Sequence, residues 1–236
     1  MNGAATESSA GNLRRFLRET SLASVFLLLF LVTLVGQALA GWQQFNAEQF
    51  ADGLGQLTFW QYVTTATFAG DVTENWQSEY LQFLLFIVGT IWLLQKGSPE
   101  SKSLDEGGLE TDEEQKVGRY ALEDSPRWAK LGGARTTLFS WSLSLVMASI
   151  FLASWGAQSL AGWAQYNETR LGRLQAPITW GQYVANADFW ARSLQNWQSE
   201  MLAVGSMVVL SIYLRQRGSP ESKPVGQPHT STGIES

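Results

Sequence analysis

Residues 21–42 read SLASVFLLLFLVTLVGQALAGW, a 22-residue apolar stretch without one charged side chain. As a helix it would rise about 33 Å, enough to cross the hydrocarbon core of a bilayer. Arg14, Arg15 and Arg18 precede it, which invites a secretory signal as the competing reading. The block is longer than a signal's apolar region, and its end is copied in mid-chain, so a spanning helix is the better account. Working outward, three further blocks follow: Trp76 to Gln95, Leu138 to Trp163 and Trp197 to Gln216. Ser206, Ser211 and Arg215 weaken the last, and its correspondence to the second block carries it.

That correspondence is an internal repeat. Gln37-Ala-Leu-Ala-Gly-Trp42 recurs as Gln158-Ser-Leu-Ala-Gly-Trp163. Asn75-Trp-Gln-Ser-Glu79 returns unchanged as Asn196 to Glu200, and Gly97-Ser-Pro-Glu-Ser-Lys102 as Gly218 to Lys223. The offsets 158 − 37, 196 − 75 and 218 − 97 are each 121. In this ungapped register 29 of the 66 positions from Gln37 to Lys102 are identical, which excludes chance. The expected fold is an all-α membrane protein with four transmembrane helices, a tandem parallel duplication of a two-helix unit. Residues 1–20 form an N-terminal segment, 21–102 the first repeat, 103–133 a linker, 134–223 the second repeat and 224–236 a tail expected to be disordered.

Charge sets the orientation. Thirteen of the sixteen lysines and arginines fall before the first block, between the second and third, or from Arg215 onward. The positive-inside bias then puts both termini and the linker on the cytoplasmic side of a plasma (inner) membrane. Two spans per copy make the copies enter the membrane the same way round, related by an axis along the membrane normal. Cysteine is absent and His229 is the single histidine, so disulfides, thiolate sites, haem and the usual zinc sites are not expected, nor is any other cofactor. A net charge of −5 says little about a chain read loop by loop.

The loops carry their own signals. Thr58-Phe-Trp-Gln61 and Thr179-Trp-Gly-Gln182 both fit a capping box. Phe59, Tyr62, Val63 and Ala66, and likewise Trp180, Tyr183, Val184 and Ala187, follow at helical spacing, which predicts an interfacial amphipathic helix in each outer loop. Many of the 11 tryptophans fall at this side and suit a membrane–water interface. The acidic linker predicts one short helix near Glu113 to Leu122. In Gly-Ser-Pro-Glu-Ser-Lys, glycine reads as a helix stop, serine and proline as a new turn, and lysine as a headgroup anchor. Ser149, Ala153, Ala157 and Ala161 recur every four residues and predict a close-packing face.

The candidate site is a polar cluster of Gln37, Asn75, Gln77, Ser78, Glu79, Gln158, Asn196, Gln198, Ser199 and Glu200. Its glutamates are expected one turn inside the second and fourth spans. A carboxylate at membrane depth suggests function by default. First-turn glutamates also suit the helix dipole, and amides and hydroxyls tie helices together, so a structural clamp is the leading alternative to a proton or cation path. Two carboxylates without a nucleophile or histidine make no case for an enzyme, and no catalytic or metal-binding residue is expected.

The sequences Gln37 to Trp42, Asn75 to Glu79 and Gly97 to Lys102, with their second copies, resemble a bacterial family of membrane proteins catalogued as a domain of unknown function. The resemblance implies a four-span membrane protein and carries over no activity, ligand or site residue. The expected reading is a non-enzymatic scaffold or envelope-associated protein, with a small proton or cation channel or transporter as the alternative. Expected partners are the lipid bilayer and a second copy or another membrane protein; nucleic acid is not expected.

Overall fold

The computed structural model describes residues 14–233, which form helices and no strand. The α-helices are α1 (Ser21–Ala51), α2 (Phe59–Tyr62), α3 (Ala66–Gly89), α4 (Arg127–Leu131), α5 (Gly133–Ser140), α6 (Ser142–Gly172), α7 (Trp180–Val184) and α8 (Ala187–Tyr213). Two compact units divide between Phe68 and Ala69.

In the first unit, α1 buries only Ala38, while Leu22, Phe26, Leu28 and Val32 lie open along its length. The apolar residues run all round this helix and not along one stripe. In the second unit α6 is equally long and also mostly uncovered. Both are long and apolar enough to cross a membrane. The expectation of four equivalent spans is met at these two alone among the described residues. α3 and α8 have the length, but Asp71, Glu74 and Glu79 on one, and Asp188, Arg192 and Glu200 on the other, lower their apolarity.

Each unit contains a tight hairpin built by identical residues 121 positions apart. Trp42 donates its indole N–H to Leu57 O at 2.7 Å, and Asn46 holds the same residue with paired bonds of 2.8 Å each. In the second unit Trp163 donates to Ile178 O at 2.7 Å, and Asn167 pairs with Ile178 at 2.9 and 2.8 Å. Both capping boxes form: Thr58 N–H donates to Gln61 Oε1 and Thr179 N–H to Gln182 Oε1, each at 2.8 Å. The buried Tyr62 then lays its hydroxyl against Gly41, and Tyr183 lays its own against Gly162. Those glycines are needed because any Cβ there would collide with the phenol oxygen.

The amphipathic helices are shorter than their apolar spacing predicts, because the chain turns and restarts. Thr65 Oγ1 accepts from Phe68 N–H at 3.2 Å and Asn186 Oδ1 accepts from Asp188 N–H at 2.9 Å, opening α3 and α8 there. Both long helices therefore begin ten residues before Trp76 and Trp197 (76 − 66 and 197 − 187).

The packing face of α6 also differs from expectation. Ser149, Ala153 and Ala157 are exposed, and the buried positions are Phe151, Ser154, Gln158, Ser159, Ala161 and Gly162. Large aromatic area outweighs close backbone approach. Trp155 stacks on Phe151 at 5.6 Å and Phe189 at 5.8 Å, meets Trp197 at 5.5 Å, and donates to Ser193 Oγ at 3.1 Å.

In the linker the helix expected near Glu113 to Leu122 is a single turn followed by a 3₁₀ turn, Gly118–Tyr120. Thr111 and Glu114 start a turn by exchanging bonds, but Lys116 and Gly118 have φ of 53° and 61°, which ends it. The tail after Pro224, expected to be disordered, is held by hydrogen bonds through Gly233.

Candidate functional site

The early starts of α3 and α8 move the repeated Asn-Trp-Gln-Ser-Glu to mid-helix. Glu79 and Glu200 lie 13 residues in (79 − 66 and 200 − 187), about 20 Å along the axis, not in the first turn. The dipole explanation for them falls away at that distance, since its effect fades within a turn.

Side chains link the two helices level by level. Asn196 donates to Glu74 Oε1 at 2.9 Å, Trp197 Nε1 donates to Gln77 Oε1 at 2.6 Å, and Ser78 Oγ, which donates to Asn75 O at 2.9 Å within its own helix, lies 3.4 Å from Glu200 Oε1. Numbers rise together on both helices, so α3 and α8 run parallel with equivalent residues side by side. Gln77 is fully buried and also donates to Glu74 O at 3.1 Å. Its equivalent, Gln198, is exposed. One copy thus turns its glutamine into the interface and the other turns it out.

Arg192 closes the N-terminal end of this network. Its guanidinium lies 3.5 Å from Glu74, 3.5 Å from Asp188 and 3.4 Å from Gln165 Oε1, tying α3, α6 and α8. Tyr183 of α7 donates its hydroxyl to Asp188 Oδ2 at 3.2 Å. Burial, followed by the Asp188 charge, raises the Tyr183 phenol well above the usual tyrosine range.

Of the predicted cluster, Gln77, Ser78, Asn196 and Glu200 come together. Asn75 donates only to Asp71 O, and Ser199 to Asn196 O, each within its own helix. Glu79 and Gln37 are exposed. Gln158 is 3% exposed and, among the described residues, neither of its amide atoms has a hydrogen-bond partner. Sequence reasoning missed Glu74, Arg192 and Trp155. Their counterparts 121 residues away are Gln195, Asp71 and Leu34, so identity between copies could not flag them.

At the C-terminal ends of α3 and α8 the Gly-Ser-Pro-Glu-Ser-Lys copies form matching loops. Gly97 and Gly218 both have φ of 85°. Gln95 N–H donates to Ser101 Oγ, and Gln216 N–H to Ser222 Oγ, at 2.9 Å each. The glycines lie beyond the helix ends at Gly89 and Tyr213 and are not helix stops. The lysines also differ from the predicted headgroup anchors. Lys102 donates to Gly108 O at 2.8 Å and pairs with Glu110. Lys223, 1% exposed, reaches Gly97 O at 2.6 Å, His229 O and Ser231 O at 3.1 Å, and Pro228 O at 3.4 Å. Its burial, followed by Arg215, pulls the ammonium below the usual lysine range, and the carbonyls oppose that pull. The second motif copy thereby grips the first through the tail.

A family model described as a domain of unknown function (DUF6766) matches residues 13–234. No curated protein and no solved structure matches the chain.

Proposed function

The chain belongs to the family of the domain of unknown function DUF6766; from that premise we propose that it is a non-enzymatic, multi-pass protein of the plasma (inner) membrane. In this reading α1, α3, α6 and α8 are four spans of a parallel duplication, with both termini and the linker cytoplasmic. Its partners are the bilayer and a second copy or another membrane protein. The repeated polar residues act as a clamp between α3 and α8, holding parallel helices in register where lipid supplies no hydrogen bonds.

One observation carries the clamp: Gln77, fully buried, spends both ends of its amide on Trp197 and Glu74. An ion path would need the paired carboxylates to face a common wet passage. Instead Glu200 lies 3.4 Å from the Ser78 hydroxyl, and Glu79 lies on the exposed side of α3.

The absence of cysteine makes the topology directly testable. Single cysteines at Asp52, Gln175, Ser103 and Ser219 are to be labelled with a membrane-impermeant maleimide in right-side-out and inverted vesicles. The first two should label from one face and the last two from the other. Labelling of all four from a single face would defeat the four-span reading. For the clamp, Glu79→Gln with Glu200→Gln should leave proteoliposome ion permeability unchanged; a parent flux lost in the double variant would favour the channel.

A further inference from the structure

A cavity of about 330 Å³ lies between the C-terminal halves of α3 and α8. That is the size of a small-molecule site. Its walls are mostly apolar, with Leu85, Phe86 and Leu93 on one side and Met201, Val204 and Val208 on the other, interrupted by Gln82 and Thr90. One end differs. There the first Gly-Ser-Pro-Glu-Ser-Lys loop brings in Ser98, Glu100 and Ser101.

The two serines are committed to the loop itself. Ser98 Oγ accepts from Glu100 N–H at 3.3 Å, and Ser101 Oγ accepts from Gln95 N–H and donates to Lys102 O at 3.0 Å. The Glu100 carboxylate is not committed. Among the described residues no hydrogen bond or ion pair holds it, and Glu221 adds a second negative charge nearby. The motif's own lysines are engaged elsewhere, Lys102 with Glu110 and Gly108, Lys223 with four carbonyls. A half-buried carboxylate with no countercharge beside a mostly apolar slot calls for a cation with an apolar body.

We propose that this cavity binds an amphiphile with an ammonium head, its alkyl chain between α3 and α8 and its cation on the Glu100 carboxylate. Burial and Glu221 together raise the Glu100 carboxyl above its usual range, as expected of a site completed by a positive ligand.

The test is native mass spectrometry of the full chain from a neutral maltoside detergent, titrated with dodecylammonium, dodecanol and dodecyl sulfate. One dodecylammonium should bind roughly ten-fold tighter than dodecanol, the scale of one half-buried charge pair, and dodecyl sulfate most weakly. Glu100→Gln should abolish the preference for the amine, and Val204→Trp, which fills the slot, should weaken both amine and alcohol. Equal binding of amine and alcohol to the parent chain overturns the proposal without reliance on any variant. So does an unchanged preference in folded Glu100→Gln. Displacement of dodecylammonium by phosphatidylethanolamine but not phosphatidylglycerol identifies a membrane lipid as the source; displacement by neither identifies a free amphiphile.

Discussion

Replacing Gln77 with leucine isolates the interhelical clamp. Gln77 is fully buried, and its Oε1 is the acceptor, at 2.6 Å, for the half-buried Trp197 indole N–H. Leucine keeps the volume and leaves that donor without a partner, at a cost of about 1–3 kcal/mol. Trp197→Phe orphans the amide oxygen instead and also removes aromatic area packed on Trp155 at 5.5 Å. Combining the two removes both polar partners together, so the double variant should lose less than the sum of the singles by about 0.5–1.5 kcal/mol, the net contribution of one hydrogen bond. Gln198→Leu, the equivalent change on the exposed side of α8, should stay within about ±0.5 kcal/mol. The assay is reversible unfolding in mixed micelles, followed by circular dichroism. Additive losses, or a Gln198→Leu cost equal to that of Gln77→Leu, would refute the asymmetric clamp.

Gly162→Ala drives a Cβ into the Tyr183 hydroxyl and should unseat α7 at about 1–3 kcal/mol, whereas Gly156→Ala on the same helix, with open space around it, should be neutral or slightly stabilising by the same unfolding assay. Lys223→Met strips the ammonium from four carbonyls; hydrogen exchange should show Gly97, whose N–H donates to Thr232, losing protection, and Lys102→Met should leave it unchanged. Because the Tyr183 phenol is raised in the folded state, its contribution is intact below the ordinary tyrosine range, about 10, and is lost as pH rises through the folded value. Tyr183→Phe should therefore flatten the alkaline decline in stability, and an unchanged slope would count against the buried phenol.

Local signals were the most legible. Thr58 with Gln61 and Thr179 with Gln182 read correctly as capping boxes, because a cap is settled by residues three apart. The first helix likewise announced itself by composition. α8 starts ten residues before the fourth apolar block because Asp188 and Arg192, which break the apolar pattern, are paired in the fold and sit on the helix. The tail read as disordered from its polar composition; the lysine that organises it acts through backbone carbonyls, which leave no mark in side-chain chemistry. The family resemblance held for the domain of unknown function itself.

The repeated Asn-Trp-Gln-Ser-Glu shows where the division falls. Sequence alone determined that two identical pentapeptides sit 121 residues apart, and that such polar residues need partners if they leave water. It also determined the apolarity of α1 and α6, which is a property of composition. Only the tertiary structure decided that Gln77 faces inward and Gln198 outward, that Glu200 meets Ser78, and that Glu74 and Arg192 join them. Parallel helices related by a two-fold axis would show each other the same residues, and α3 and α8 depart from that, with Gln77 buried and Gln198 exposed. Beside the Gln77 contact, Trp155 of α6 packs on Trp197 of α8 at 5.5 Å, between residues too far apart in sequence for a local pattern to encode the pairing.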